Sequence, residues 1–88
     1  MFKDDNLHQA MLEFLGKKEN EMITSDELEK IDILSLRNKD IEFIDGLEDC
    51  INLEVLDLTG NRIEHIHPLE KLTKLTKLRL SRNALQSI

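Results

Sequence analysis

The chain has 88 residues, a formal net charge of −6, a hydrophobic fraction of 40% and three aromatic side chains, Phe2, Phe14 and Phe43. That length gives one small domain near the lower limit for a stable core, and Leu and Ile must build it. The acidic balance excludes nucleic acid as the main partner, the single Cys50 excludes a disulfide within the chain and a cysteine-rich zinc site, and no apolar run reaches the length of a membrane span.

The charge is uneven. Residues 1–52 hold six Lys/Arg against fourteen Asp/Glu, a net of −8, whereas residues 53–88 hold six against four, a net of +2. The opening MFKDDNLHQ lacks the apolar stretch of a signal peptide. The expectation is a cytosolic chain, or one whose targeting segment has been removed.

In chain order, the first predicted element is a helix from Asn6 that places Leu7, Ala10, Met11, Phe14 and Leu15 on one face and ends at Gly16. Asp5 or Asn6 serves as its N-cap. Lys17 to Glu21 form a polar loop. Thr24-Ser25-Asp26-Glu27 spell a capping box for a second short helix that carries Leu28 and Ile31 forward. Residues 1–30 thus predict a helical hairpin that shields one end of a leucine-rich core.

The remainder of the chain is a repeat. Leu53, Leu56, Leu58, Asn61, Ile63 and Ile66 return 22 residues later as Leu75, Leu78, Leu80, Asn83, Leu85 and Ile88. Moving towards the N-terminus by the same period gives Ile31, Leu34, Leu36, Lys39, Ile41 and Ile44, so only the Asn place differs. Leu47 and Cys50 align in the same way with Leu69 and Leu72. Residues 31–52, 53–74 and the partial 75–88 are copies of a leucine-rich repeat, and this period marks a solenoid. The LxL part alternates as a strand with one buried face requires, and the Asn amide bonds backbone groups where the chain leaves the strand. Lys39 cannot accept a hydrogen bond, which predicts an irregular first turn. The fold class is an α/β leucine-rich repeat solenoid with an N-terminal helical cap and a short parallel sheet.

The segments NLHQAMLEFLGK, ITSDELEKIDILSL and IEFIDGLEDCINLEVLDLTGNRIEHIHPLEKLTKL together resemble the N-terminal cap and first repeats of internalins, from about Asn6 to Ile88. The resemblance implies that parallel strands line a concave face that grips a protein partner. It also implies a secreted or wall-anchored protein.

Carried onto this sequence, the candidate face comprises Ser35, Arg37, Asp57, Thr59, Arg62, Lys77, Arg79 and Arg82, with Ile33, Val55 and Ser81 among their neighbours. Adjacent strands lie ~4.8 Å apart, so Asp57 and Arg79 fall in one column and are expected to pair. One reading is a platform for an acidic partner surface; the other is a solvated face that keeps the repeat soluble. Three strands offer well under half of the roughly 800 Å² per partner of a standard interface, and the face has no aromatic anchor.

Catalysis finds little support. His65 and His67 flank Ile66 and both point outward with no third metal ligand nearby. Cys50 occupies an apolar repeat place, so a buried thiol is expected. Asp45, Glu48 and Asp49 read as a solvated acidic loop. The expectations are no enzyme, no cofactor and no metal.

The last copy stops at its fourteenth residue, which leaves Leu75, Leu78, Leu80, Leu85 and Ile88 as an uncovered layer. Three explanations stand: a longer repeat protein continues the stack, the layer meets a second copy in a two-fold dimer, or the last repeat frays. The functional readings are a protein-interaction module or the leading part of one, a structural cap or self-assembling unit, and a cytosolic regulator similar to the leucine-rich repeat subunits that bind phosphatases.

Overall fold

The computed structural model describes residues 2–85. It contains helix α1 (Asp5–Leu15), helix α2 (Ser25–Glu29) and strands β1 (Ile33–Ser35), β2 (Val55–Asp57) and β3 (Lys77–Arg79), with 3₁₀ turns at Leu47–Asp49 and His67–Leu69. The strands form one parallel sheet in the order β1-β2-β3. Their register is the 22-residue period made spatial: Ile33, Val55 and Lys77 align, as do Leu34, Leu56 and Leu78, and Ser35, Asp57 and Arg79.

Leu7, Met11, Leu28, Leu34, Leu36, Ile41, Ile44, Leu47, Leu53, Leu56 and Leu58 are buried in a single core, and Cys50 lies among them. The apolar repeat places therefore point inward, which is the reason for their spacing. Burial pushes the Cys50 thiol up to about 12, with the charges of Asp49 and Glu48 adding to the effect. Such a thiol stays protonated at neutral pH, as a buried structural cysteine does.

The cap follows its sequence signals with two corrections. Gly16 adopts the left-handed conformation and closes α1, with Lys17 N donating to Leu12 O at 2.8 Å. At α2 the box is complete: Glu27 N donates to Thr24 Oγ1 at 3.2 Å and Thr24 N to Glu27 Oε1 at 2.9 Å. The N-cap of α1, however, is Asp4, not Asp5 or Asn6. The buried stripe takes in Leu12, whereas Phe14 is 46% exposed. Leu12 shares the core with Ile23 and Leu28 from the second half of the cap, which draws the buried arc towards it.

Asp4 explains its own placement. Its Oδ1 accepts from Asn6 N at 2.8 Å and Leu7 N at 3.1 Å, and its Oδ2 accepts from Glu42 N at 2.7 Å and Phe43 N at 2.9 Å. One carboxylate thus caps the helix and ties it to the first coil. Burial pushes this carboxyl up, but the N–H groups of Phe43, Glu42, Leu7 and Asn6 outweigh burial and hold it below its ordinary value.

The coils are joined by Asn61 and Asn83. Asn61 Oδ1 accepts from Lys39 N at 3.0 Å and Ile41 N at 3.1 Å, and Nδ2 donates to Leu36 O at 2.9 Å and Leu58 O at 2.8 Å. Asn83 repeats the pattern one coil on, accepting from Ile63 N and donating to Leu58 O and Leu80 O. Each Asn therefore serves the coil before its own. Lys39 has only the helical cap before it, and its Nζ reaches Glu13 of α1 at 3.6 Å instead. The first turn carries two left-handed residues, Asn38 at φ 55° and Asp40 at φ 59°.

Asn61→Ala, which strands Lys39 N, Ile41 N and Leu36 O while Leu58 O keeps its bond from Asn83, should cost about 3 kcal/mol or more and clearly exceed Asn83→Ala in urea unfolding. Because the folded carboxyl of Asp4 is depressed, its contribution is complete above the ordinary carboxylate range of ~3.9 and lost as pH falls through the lower folded value. Asp4→Asn should therefore flatten the acid limb of the stability profile while lowering the plateau; an unchanged limb would show that Asp4 does not govern it.

Candidate protein-binding face

The outward residues of the three strands and the turns after them form the candidate face, since inward positions are taken up by the core. Ser35, Arg37, Lys77, Arg79 and Arg82 are exposed, as expected. Arg37, Asp57, Thr59, Arg79, Ser81 and Arg82 border one open hollow of about 450 Å³. Lys77 borders a separate hollow along the edge of β3 with Thr76 and Arg79.

Two residues depart from the sequence expectation, and Arg62, exposed as expected, lies apart from the rest. Thr59 is buried, because its Oγ1 donates to Asp57 Oδ1 at 2.6 Å and its N donates to the same oxygen at 3.0 Å. Asp57 has no ion pair with Arg79 within 4 Å; its oxygen lies 3.8 Å from Arg37 Nε. Arg62 sits outside the hollow and pairs with Asp40 at 2.8 Å. The Thr59 hydroxyl and then its N–H, aided by the charges of Arg37 and Arg79, hold the Asp57 carboxyl below its ordinary value against a small rise from burial.

The carboxylate is thus committed within the chain, and Arg37 is turned towards it. Among the described residues, neither Arg79 nor Arg82 makes an ion pair, which leaves two exposed guanidiniums on one side of the hollow. The face is amphipathic along another axis. Ile33 is 62% exposed, and its register partner Val55 is half-buried.

The column after the strands has a backbone peculiarity that the repeat spacing did not reveal. Asn38, Gly60 and Arg82 align at the 22-residue period and all adopt positive φ, at 55°, 78° and 56°. Asn and Gly suit this region; for a residue such as Arg it costs roughly 1 kcal/mol or more to remain there. Gly60 is required for space as well, since a Cβ would overlap Asn38 Oδ1 and lie 3.6 Å from Arg82 Nη2. Asn38 and Arg82 therefore close over Gly60 from the coils on either side.

The alternatives place elsewhere. His65 and His67 are exposed with Ile66 half-buried between them. Asp45, Glu48, His67 and Glu70 border a small hollow on another side, and among the described residues no three His, Cys, Asp or Glu side chains gather as metal ligands. No helix among them is long and apolar enough to cross a membrane. Of the C-terminal layer, Leu75 and Leu80 are half-buried, Leu78 is 36% and Leu85 42% exposed, and Ile88 lies outside the described residues.

Comparison with known proteins fits this geometry. The family described as Leucine Rich repeats (2 copies) matches residues 52–88. An internalin (inlF) from Listeria monocytogenes superposes with a TM-score of 0.92 at 36% identity, covering 99% of this chain and 26% of that one. An internalin C2 (inlC2) from the same species gives 0.89 at 35% identity, covering 99% and 39%. The CBM51-2 and INT domains of Clostridium perfringens ZmpB give 0.79 at 31% identity, covering 89% and 16%. The chain thus spans well under half the length of these solved relatives. A comparison with curated proteins finds no match.

Gly60→Ala should lower stability by about 2 kcal/mol or more, from the left-handed backbone and the overlap together. Adding Asn38→Gly should recover only the part due to the overlap. Full recovery in thermal melts would place the whole effect in the side-chain clash and none in the backbone.

Proposed function

Because the chain is an internalin-like leucine-rich repeat protein, we propose that it is a protein-interaction module whose strand face engages an acidic protein surface. The observation that carries this reading is the two exposed guanidiniums, Arg79 and Arg82, on a hollow whose one carboxylate is already held by Thr59. Lys77 and Arg37 extend the same positive field, which steers an acidic partner and makes association sensitive to salt. Ser35 adds a small polar neighbour that leaves the face open. Binding is favoured over catalysis as its role, since the one thiol is buried and protonated and the hollow, bordered by guanidiniums, hydroxyls, Asp57, Leu78 and Leu80, has no histidine in its lining. By kinship with surface and secreted internalins, its place of action is outside the cytoplasm.

Retention of a protein partner from the cognate surroundings should weaken at least tenfold on replacing Arg79 and Arg82 by Glu, and fall for the unaltered chain as salt rises. Both residues are exposed, so melting should change little. Retention that ignores both the substitutions and the salt would place binding on another surface.

A second reading has its own observation, the exposure of Leu78 and Leu85 in the C-terminal layer. A two-fold dimer through this layer would bring Lys77, Arg79 and Arg82 of both copies together. Like charges then oppose pairing, so sedimentation should show a dimer that strengthens with added salt. A monomer across the full range of concentration and salt would remove this reading.

A further inference from the structure

We infer that the strand face recognises an extended peptide segment in which an aliphatic or aromatic side chain stands about four residues from a carboxylate, the apolar group on Ile33 and Val55 and the carboxylate at Arg79 and Arg82. This rests on the strand face being the binding surface and adds the class and spacing of what it takes. Three observations support it.

The first is the apolar step. Ile33 and Val55 align on neighbouring strands, and Ile33 is 62% exposed on a face whose other outward positions are polar or charged. An isoleucine held in water at an outward strand position does nothing for the core, which is already filled by Leu34 and Leu36. It provides a contact for an apolar group that approaches from solvent.

The second is the charge arrangement. Asp57 is fixed by two hydrogen bonds from Thr59 and draws Arg37 to within 3.8 Å. That internal pairing takes up one guanidinium and leaves the positive charge at the β3 end of the face. Arg79 and Arg82 are therefore the groups with capacity for an incoming carboxylate, and Arg can bind it through two parallel N–H donors.

The third is the backbone at Arg82. The residue stays in the left-handed region at φ 56°, in a column that Asn38 and Gly60 occupy without comparable strain. Its guanidinium reaches back towards Gly60 and so over the face. A long cationic side chain retained at a position that disfavours it is accounted for by what the side chain contacts, not by the turn.

The spacing comes from sheet geometry. Ile33 and Arg79 are separated by two strand-to-strand steps of ~4.8 Å and two residues of ~3.3 Å along the strand, or about 12 Å in all. An extended peptide covers that in about four residues, and positions four apart share one side of it. A separation of three would turn the carboxylate away from the face.

The test titrates isotopically labelled full chain with three synthetic Ser/Thr peptides: one with Leu followed four residues later by Glu, one with the Glu moved a residue closer, and one with Leu replaced by Ser. The first should perturb the amides of Ile33, Val55, Arg79 and Arg82 together and bind about tenfold more tightly than the Ser peptide. Ile33→Ser should erase that advantage. Arg82→Asn should weaken binding two- to fivefold while raising the melting temperature, opposite signs that a merely structural arginine would not give. Equal binding of all three peptides to the strand face would overturn the stated spacing and anchor yet leave the platform standing. Perturbations confined to the cap or to the outer turns would overturn both.

Discussion

A coil of this solenoid cannot satisfy its own backbone. Lys39 and Ile41 present N–H groups, and Leu36 a carbonyl, that find partners only in the side chain of Asn61, one coil further on. The strands depend on their neighbours in the same way, with Leu36 N and Asn38 N donating to Asp57 O and Thr59 O, and Leu58 N and Gly60 N donating to Arg79 O and Ser81 O. Hydrophobic burial drives the layers together without direction, but these bonds set the register at which they stop. Because an unpaired buried donor or acceptor costs more than a made bond contributes, a slip by one residue is penalised at every coil. The front end is the place where the rule would fail, and there Asp4 substitutes a carboxylate from the cap for the missing coil. That is also why Lys39 can stand where the other copies have Asn: no coil precedes it to be served.

Much of this was legible in the sequence, for a physical reason. The leucine spacing, the Asn at the ninth place, the closing Gly16 and the Thr24–Glu27 box are all local signals whose partners lie within one turn or recur at one fixed period. The period is converted by stacking into spatial columns, so the register of β1, β2 and β3 could be read directly. Asp4 could not be recognised in the same way. Its local role as an N-cap competes with Asp5 and Asn6 on equal chemical terms, and what decides among them is a pair of N–H groups at Glu42 and Phe43 that the sequence places nearly forty residues away. The outward side chains were harder still. Thr59 and Asp57 both stand at polar places, but a hydroxyl two residues from a carboxylate folds back onto it, and that bond buries the threonine and turns the carboxylate from Arg79 towards Arg37.

The same contrast explains why the face is informative where the core is not. Apart from Cys50, the core positions of the coils carry Leu or Ile because packing admits little else, so they identify the fold and say nothing of a ligand. At the outward positions the copies diverge: Ile33, Val55 and Lys77 share a column, as do Ser35, Asp57 and Arg79. A solenoid that needed only solubility could repeat one polar residue down each column. Here the columns run from apolar or neutral at the cap to cationic at β3, and the gradient matches the division of charge between the two parts of the chain.

Arg82 brings the two levels together. In its column the backbone is left-handed where the chain turns out of the strand, and Asn38 and Gly60 each donate their N–H to the coil that follows; Gly60 meets that demand with no Cβ, and Asn38 with a short side chain that lies over Gly60. The geometry at the third copy is the same, so its backbone demand is the same, and Gly or Asn would meet it more comfortably than Arg. Strain of this kind persists only where the surroundings over-determine it, and the stacked bonds of Ser81 to Gly60 and Ala84 to Ile63 do so from both sides. The solenoid is thus rigid enough to hold an arginine where the local backbone resists it. A charged side chain held that way starts from a narrowed set of positions and loses less freedom when a carboxylate arrives.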